Sequence, residues 1–542
     1  MNRPPAALRV AAAESRRPPF RRVLVANRGE IALRIIRACH ELGCEAVAVH
    51  SDADAGAPFV RAADAAVRIG PASPVESYLR AEVIVEAALR SGAEAVHPGY
   101  GFLSERAAFA EACRAAGLVF VGPSPETLAG LGDKLAARRA AARAGVPVVP
   151  GTLEPAPVEA AAVDGLLAEA ERIGWPLLVK AAAGGGGRGM RRVESPSELP
   201  AALAAAAHEA AAAFGDGAVY LERLVSGARH VEVQLLGDTA GSVVALGERD
   251  CSVQRRHQKL VEEAPAPGLS EAQRRALHRL AVAVAREVGL VNAATAEFLW
   301  TPEGEPYFLE VNARLQVEHG VTELVTGLDL VQEQLRVAAG EPLSPAVLAA
   351  AERAATPERH AIEVRIGAED PARDFAPVPG TITEWHEPGG PGVRVDAGVE
   401  AGSRVSGDYD PLLAKLLVVA EDRPAALDRL RRALDELRVA GIQTTLPFHR
   451  WLAGHAAFVG AELATDFVAR HWQPAEARAT AAREAAMLAA AARTGSHARK
   501  AVPASQAGQP AHDGRGPEDA GAGRTSGWRE QGRLEATARW PR

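Results

Sequence analysis

Apolar and polar positions change period along the chain, and the changes mark out its elements. RRVLVAN (21–27) reads as a short β run, EIALRIIRACHELG (30–43) repeats its apolar residues at helical spacing, and EAVAVHSDADA (45–55) reads as a second strand. Strand, helix and strand within about thirty residues predict the start of a parallel, doubly wound sheet. Between Gly145 and Trp175 Pro and Ala dominate, which suggests a change of domain. LLVKAAA, AVYLERL and HVEVQLLG then alternate as strands with one Ala-rich helix. Residues 290–318 predict a hairpin, 322–340 a helix, 360–420 a set of short strands, and ALDRLRRALDELRVAG an amphipathic helix closed by Gly441.

After Pro474 no Ile, Phe or Tyr occurs, so disorder is expected from about residue 495. The first 19 residues are Arg-rich and Pro-broken and lack the apolar core of a secretory signal; a disordered extension and an organelle transit peptide both fit. With 542 residues, 48% apolar and 24% charged, the chain can hold two or three domains. A net charge of −7 offers no basic field for a polyanion, so nucleic acid is disfavoured as a partner, and no stretch is apolar enough to span a membrane. Cys39, Cys44, Cys113 and Cys251 form neither a CxxC pair nor a zinc spacing, which points to reduced thiols in a cytoplasmic setting.

Asn27-Arg28-Gly29 replaces the glycine-rich turn of a dinucleotide site, so a nicotinamide is not supported. The run from Lys180 through Gly184, Gly185, Gly186 and Gly187 to Arg188 follows an apolar strand; it suits a phosphate-covering loop as well as a linker, and it is not a Walker motif. If Pro302-Glu303-Gly304-Glu305 turns a hairpin, Trp300 faces Tyr307 and Glu297 faces Glu310. Carboxylates so opposed lie roughly 4.5–5.5 Å apart at Cβ and repel unless something, such as Mg2+, neutralises them. Glu310, Asn312, Arg314, Gln316 and Glu318 then alternate on one face while the chain stays extended: a solvated strip, or a site for bicarbonate or phosphate. The cation-dense stretch Glu248–Lys259 reads either as a solvated charge run or as an anion pocket.

ANRGEIALRI (26–35), HPGYGFLSE (97–105), GDK (132–134), KAAAGGGGRGM (180–190), RHVEVQLLG (229–237), ERDCSVQRRHQKLVEEAPAP (248–267), FLEVNARLQVEHGVTE (308–323) and HAIEVRIGAEDP (360–371) together resemble the biotin carboxylase family, colinearly over about residues 20–472. The resemblance implies an α/β protein with three regions: a Rossmann-like N-terminal domain (20–133), an α+β ATP-grasp domain (134–345) with a mobile lid near 150–222, and a mixed α/β C-terminal domain (355–472). These are flanked by a disordered extension (1–19) and a largely disordered tail (480–542). It implies ATP held by Lys134, Lys180, Gly185, Gly186, Gly187, Glu222, Arg223, His230, Gln254 and His257. Mg2+ or Mn2+, as two ions, would sit on Glu297, Glu310 and Asn312. Bicarbonate would be bound by Lys259, Arg314, Gln316 and the Val317 amide, with Glu318 as base, while Tyr100 and Arg365 serve biotin. Catalysis would fall to Glu318, Arg314, Lys259 and Arg365. The implied reaction is ATP- and bicarbonate-dependent carboxylation of biotin on a carrier protein through carboxyphosphate, the first half-reaction of an acyl-CoA carboxylase, by a homodimer or larger α/β complex working with a separate carboxyltransferase.

Arg223 stands where many relatives carry Lys, and Ala183 and Gly320 replace residues commonly Gly and Pro, as loops tolerate. Biotin carriers resemble one another in a Met-Lys-Met core, yet Met1, Met190 and Met487 have no adjacent lysine, so the biotin is expected on another polypeptide and the tail as an altered remnant. FVGAELATDFVARHWQP (458–474) and YDPLLAKL (409–416) look like the α subunits of propionyl- or methylcrotonyl-CoA carboxylases. An ATP-grasp ligase joining a carboxylate to an amine, and an inactive nucleotide-binding scaffold, are the competing readings.

Overall fold

The computed structural model describes residues 18–157, 163–182, 190–475 and 478–479. Most of the expected N-terminal extension, Gly185, Gly186 and Gly187, and the tail from 480 lie outside the described residues. The first sheet contains β1 (Arg22–Val25), β2 (Glu45–Ser51), β3 (Ala65–Gly70), β4 (Ala95–His97) and β5 (Val119–Phe120), all parallel, in the order β3-β2-β1-β4-β5. Central β1 buries Val23, Leu24 and Val25, as a strand covered on both faces must. After it Gly29, at φ +67°, starts helix α1 (Gly29–Glu41), which buries Ile31, Ile35 and Ile36. Doubly wound topology is therefore what the opening periodicity predicts.

Asp133 caps helix α2 (Lys134–Arg143) by accepting from the amides of Leu135 and Ala136, and so fixes Lys134 at its first turn. A three-stranded antiparallel sheet follows, β7-β6-β8, from β6 (Leu177–Ala181), β7 (Arg191–Val193) and β8 (Val219–Arg223). Helix α3 (Leu199–Phe214) closes its core of Leu177, Val179, Val193, Leu203 and Leu221.

The largest sheet has eight antiparallel strands: β9 (Arg229–Gly237), β10 (Val243–Arg255), β11 (Gln258–Ala264), β12 (Asn292–Trp300), β13 (Pro306–Asn312), β14 (His360–Gly367), β15 (Val393–Ala397) and β16 (Leu412–Ala420). Its order, β13-β12-β9-β10-β11-β14-β16-β15, carries one continuous ladder from the central stretch into the C-terminal one. Helix α4 (Glu271–Glu287) packs on β10 behind a Ser270/Gln273 capping box. Among the described residues no helix is long and apolar enough to cross a membrane.

Three expectations need correction. The span 322–340 is two helices, α5 (His319–Thr326) and α6 (Leu330–Ala338), because Gly327 adopts φ +77° and ends the first. Helix α7 (Arg423–Glu436) stops at Leu437, and Arg438–Ala440 pairs with Glu384–His386, so Gly441 turns the chain after a strand. Gly320 lies in the first turn of α5 rather than in a loop, and a Cβ there would come 2.4 Å from Leu417 Cδ2.

Candidate active site

Glu297 opposes Glu310 in the β12–β13 hairpin as expected, but by another register. Trp300 faces Pro306, Leu299 faces Tyr307 and Phe298 faces Phe308; a bulge at Leu309 then shifts the pairing so that Glu297 meets Glu310. Glu297 also opposes Glu232 on β9, and Glu232 opposes Arg249 on β10. Three acids thus stand in a row across neighbouring strands, an arrangement that needs compensating charge.

Lys259 supplies part of it, with Nζ 2.6 Å from Glu232, 3.0 Å from Glu297 and 2.7 Å from Glu318. Arg249, fully buried, donates to Glu232 at 2.6 Å and to Gln234 at 2.8 Å. Burial alone would raise the Glu297 carboxyl, but Lys259 and His230 outweigh it and hold the group down at about 2. Burial likewise opposes ionisation of Glu232, and Lys259 with Arg249 keeps it well below the usual carboxylate range.

Beyond Asn312 the strand ends, so the expected alternation up to Glu318 does not persist as extended backbone. The side chains converge all the same. Asn312 Nδ2 donates to Glu297 at 2.7 Å and Gln316 Nε2 donates to it at 3.1 Å. Arg314 donates to Asn312 Oδ1 at 3.1 Å and to Gln316 Oε1 at 3.0 Å, and pairs with Glu105 at 3.3 Å. Glu318, wholly buried, has Oε1 on Lys259 and Oε2 3.0 Å from Arg365. Arg365 also donates through Nε to Glu262 at 2.7 Å; burial lifts Glu262 to about 7 despite that partner, with Glu318 adding to the rise.

On the flank toward the small sheet, Lys134 Nζ lies 3.7 Å from Glu310. Lys180 is held 2.7 Å from Glu222, whose second oxygen accepts from Arg138 at 2.6 Å. Glu222 is therefore taken up in anchoring Lys180. Arg223 at the end of β8 is exposed and Gln254 is buried. Arg256 and His257, at φ +47° and +66°, form the tight turn between β10 and β11. His257 is pushed down by burial and by nearby Lys180, His230 and Lys134, so it belongs to this cationic flank. His230 Nε2 lies 3.1 Å from Glu297. Tyr100 donates its hydroxyl to Glu30, and Val317 presents its carbonyl to Lys415 at 2.9 Å.

Carboxylates suit a hard divalent cation, and Glu297 and Glu310 stand opposed on neighbouring strands, each beside a lysine, while Asn312 turns its Nδ2 to Glu297 and its Oδ1 to Arg314. Glu232 and Glu262 escaped the sequence reading, and Arg249, one of the cations of the Glu248–Lys259 stretch, turns out to pair with Glu232. RHVEVQLLG did carry the signal for Glu232, since His230, Glu232 and Gln234 recur every second position inside an apolar strand.

Lys134 and Lys180 thus reach Glu310 and Glu222 from the side of the small sheet, a polar cluster of cations and carboxylates of the kind that binds phosphate and metal. The family described as carbamoyl-phosphate synthase L chain, ATP binding domain, matches residues 133–346. Biotin carboxylase, N-terminal domain, matches 19–128, and the biotin carboxylase C-terminal domain matches 363–470. The chain belongs to the biotin carboxylase family. It is 46% identical over 449 residues to a biotin carboxylase of a Nostoc species, covering 83% of this chain and 98% of that one. To biotin carboxylase of Pseudomonas aeruginosa it is 49% identical over 437 residues, covering 81% and 95%. A biotin carboxylase–ATP complex from Campylobacter jejuni superposes with TM-score 0.79 at 43% identity, over 83% of this chain and 99% of that one. The biotin carboxylase domain dimer of Hydrogenobacter thermophilus 2-oxoglutarate carboxylase, solved with MgADP, ADP and bicarbonate, gives 0.79 at 44%, over 83% and 98%.

Proposed function

We propose that this chain carboxylates biotin borne on a carrier protein or domain, using ATP and bicarbonate, and that Glu318 is the base. The observation carrying this reading is the clasp of Glu318 between Lys259 and Arg365, beside a row of acids that faces Lys134. Lys259, Arg314, Gln316 and the Val317 amide receive bicarbonate, and Glu318 takes its proton. The bicarbonate oxygen attacks the γ-phosphorus, ADP leaves, and carboxyphosphate results. This splits to CO2 and phosphate; the phosphate removes the ureido proton of biotin, and the nitrogen takes up CO2. Arg365 steadies the biotin enolate and Tyr100 shapes its pocket. Lys134, Lys180, Glu222, Arg223, His230, Gln254, His257 and the run Gly185, Gly186, Gly187 serve the nucleotide. Glu297, Glu310 and Asn312 would hold magnesium, which supplies charge neutralisation on the transferred phosphoryl group when bound.

We assign residues 20–133, 134–345 and 355–472 as the three working regions, with a lid near 150–222. A carboxyltransferase, the cytoplasm and a homodimer or larger α/β assembly complete the proposal. ADP release should require bicarbonate and rise with free biotin; release that depends on an added amine instead would overturn the reading. Glu318→Gln should cut the rate about 100-fold or more while ATP binding, followed calorimetrically, is retained. An unchanged rate refutes the base.

A further inference from the structure

Strand β16 reads LLAKLLVVA, and at its centre Lys415 is completely buried. A buried ammonium in an apolar strand is expensive unless it is fully partnered. Lys415 has three partners from three stretches of the chain. Nζ donates to the Val317 carbonyl at 2.9 Å, lies 3.2 Å from Glu30 of α1, and lies 3.7 Å from Asp396 of β15. Asp396 and Arg365 are its direct cross-strand neighbours on either side. A cation beside a cation would be repulsive, yet the two reach different acids: Lys415 takes Glu30 and Asp396, Arg365 takes Glu262 and Glu318. Burial opposes the charge on Lys415, and Glu30, Glu363 and Asp396 more than offset it.

Val317 and Glu318 share a peptide plane, so the lysine holds the backbone whose next side chain is clasped by Lys259 and Arg365. Glu30, in turn, accepts the Tyr100 hydroxyl. We propose that Lys415 is a positioning residue for bicarbonate activation: it fixes the Gln316–Glu318 turn through the Val317 carbonyl and, through Glu30, ties that turn to the segment bearing Tyr100. The contacts of Lys415 described above are all to protein groups, and the inference rests on the function proposed above.

The test compares Lys415→Met, Lys415→Gln and Lys415→Arg in the full chain, measuring ADP release against bicarbonate and against ATP. Lys415→Met should lower kcat/KM for bicarbonate about 10- to 100-fold and leave KM for ATP within about twofold. Lys415→Gln, which keeps a donor for the Val317 carbonyl without the charge, should recover part of the loss, and Lys415→Arg more. Equal losses toward both substrates, or a Gln variant no better than Met, would overturn the inference. If Lys415→Met does not fold, the split between bicarbonate and ATP in the Gln and Arg variants decides by the same criterion. Wild-type ADP release that ignores bicarbonate would instead refute the proposed function itself.

Discussion

His97 and His449 are sealed among packed side chains, and each uses one ring nitrogen on the backbone: His97 Nδ1 accepts from the Gly99 amide at 3.1 Å, and His449 Nε2 donates to the Arg365 carbonyl at 2.7 Å. Burial pushes them down to about 3 and about 4. An unfolded histidine titrates near 6.5, so the unfolded chain binds the extra protons first, and stability is lost as pH falls from about 6.5 toward 4. Each contributes on the order of 3 kcal/mol to that loss. Urea midpoints at pH 7.5, 5.5 and 4.5 should fall steeply, and His449→Gln should flatten the slope. At this scale the sequence was uneven to read. Lys259, Arg314 and Glu318 stand in dense polar runs and were picked out. Lys415 interrupts an apolar strand singly and Glu262 stands beside Glu263 in QKLVEEA, and neither local pattern singles the residue out; only tertiary pairing reveals that Lys415 meets Glu30 and Glu262 meets Arg365.

Among the elements, the hairpin of β12 and β13 depends on one unpaired position. Without the bulge at Leu309 the register that starts from Trp300 and Pro306 would place Leu309 opposite Glu297 and turn Glu310 to the other face. Deleting Leu309 would straighten the strand and leave Glu310 opposite Glu297, so ADP release should survive within about tenfold, whereas inserting one alanine after Leu309 should turn Glu310 to the other face and cost about 100-fold or more while circular dichroism keeps the native sheet content. A bulge has no composition of its own, which explains why the acid pair was foreseeable while the route to it was not. The break at Gly327 was signalled by a glycine and passed over. Gly320 offers a second test: Gly320→Ala should destabilise by about 1–3 kcal/mol in thermal unfolding, and by much less in a Leu417→Val background, where the opposing methyl is gone.

Across the whole described molecule, the site draws on Glu30, Tyr100 and Glu105 near the N-terminus, on the central β9–β13 face, and on Arg365 and Lys415 of the C-terminal strands. The parallel sheet and the strand-rich centre were legible from periodicity; that β11 and β14 fuse two regions into one sheet was not, because about a hundred residues separate the partners. The linking ion pairs are buried, so raising NaCl from 0.1 to 0.5 M should move the melting temperature by only a few degrees, since screening reaches exposed charges first. Glu318 carries the last consequence. Its two oxygens are engaged by different cations, one by Lys259 and the other by Arg365. An anion entering there has to compete with Glu318 for both cations. On the function proposed above, nucleotide turned over in the absence of bicarbonate should be a small fraction of turnover with it.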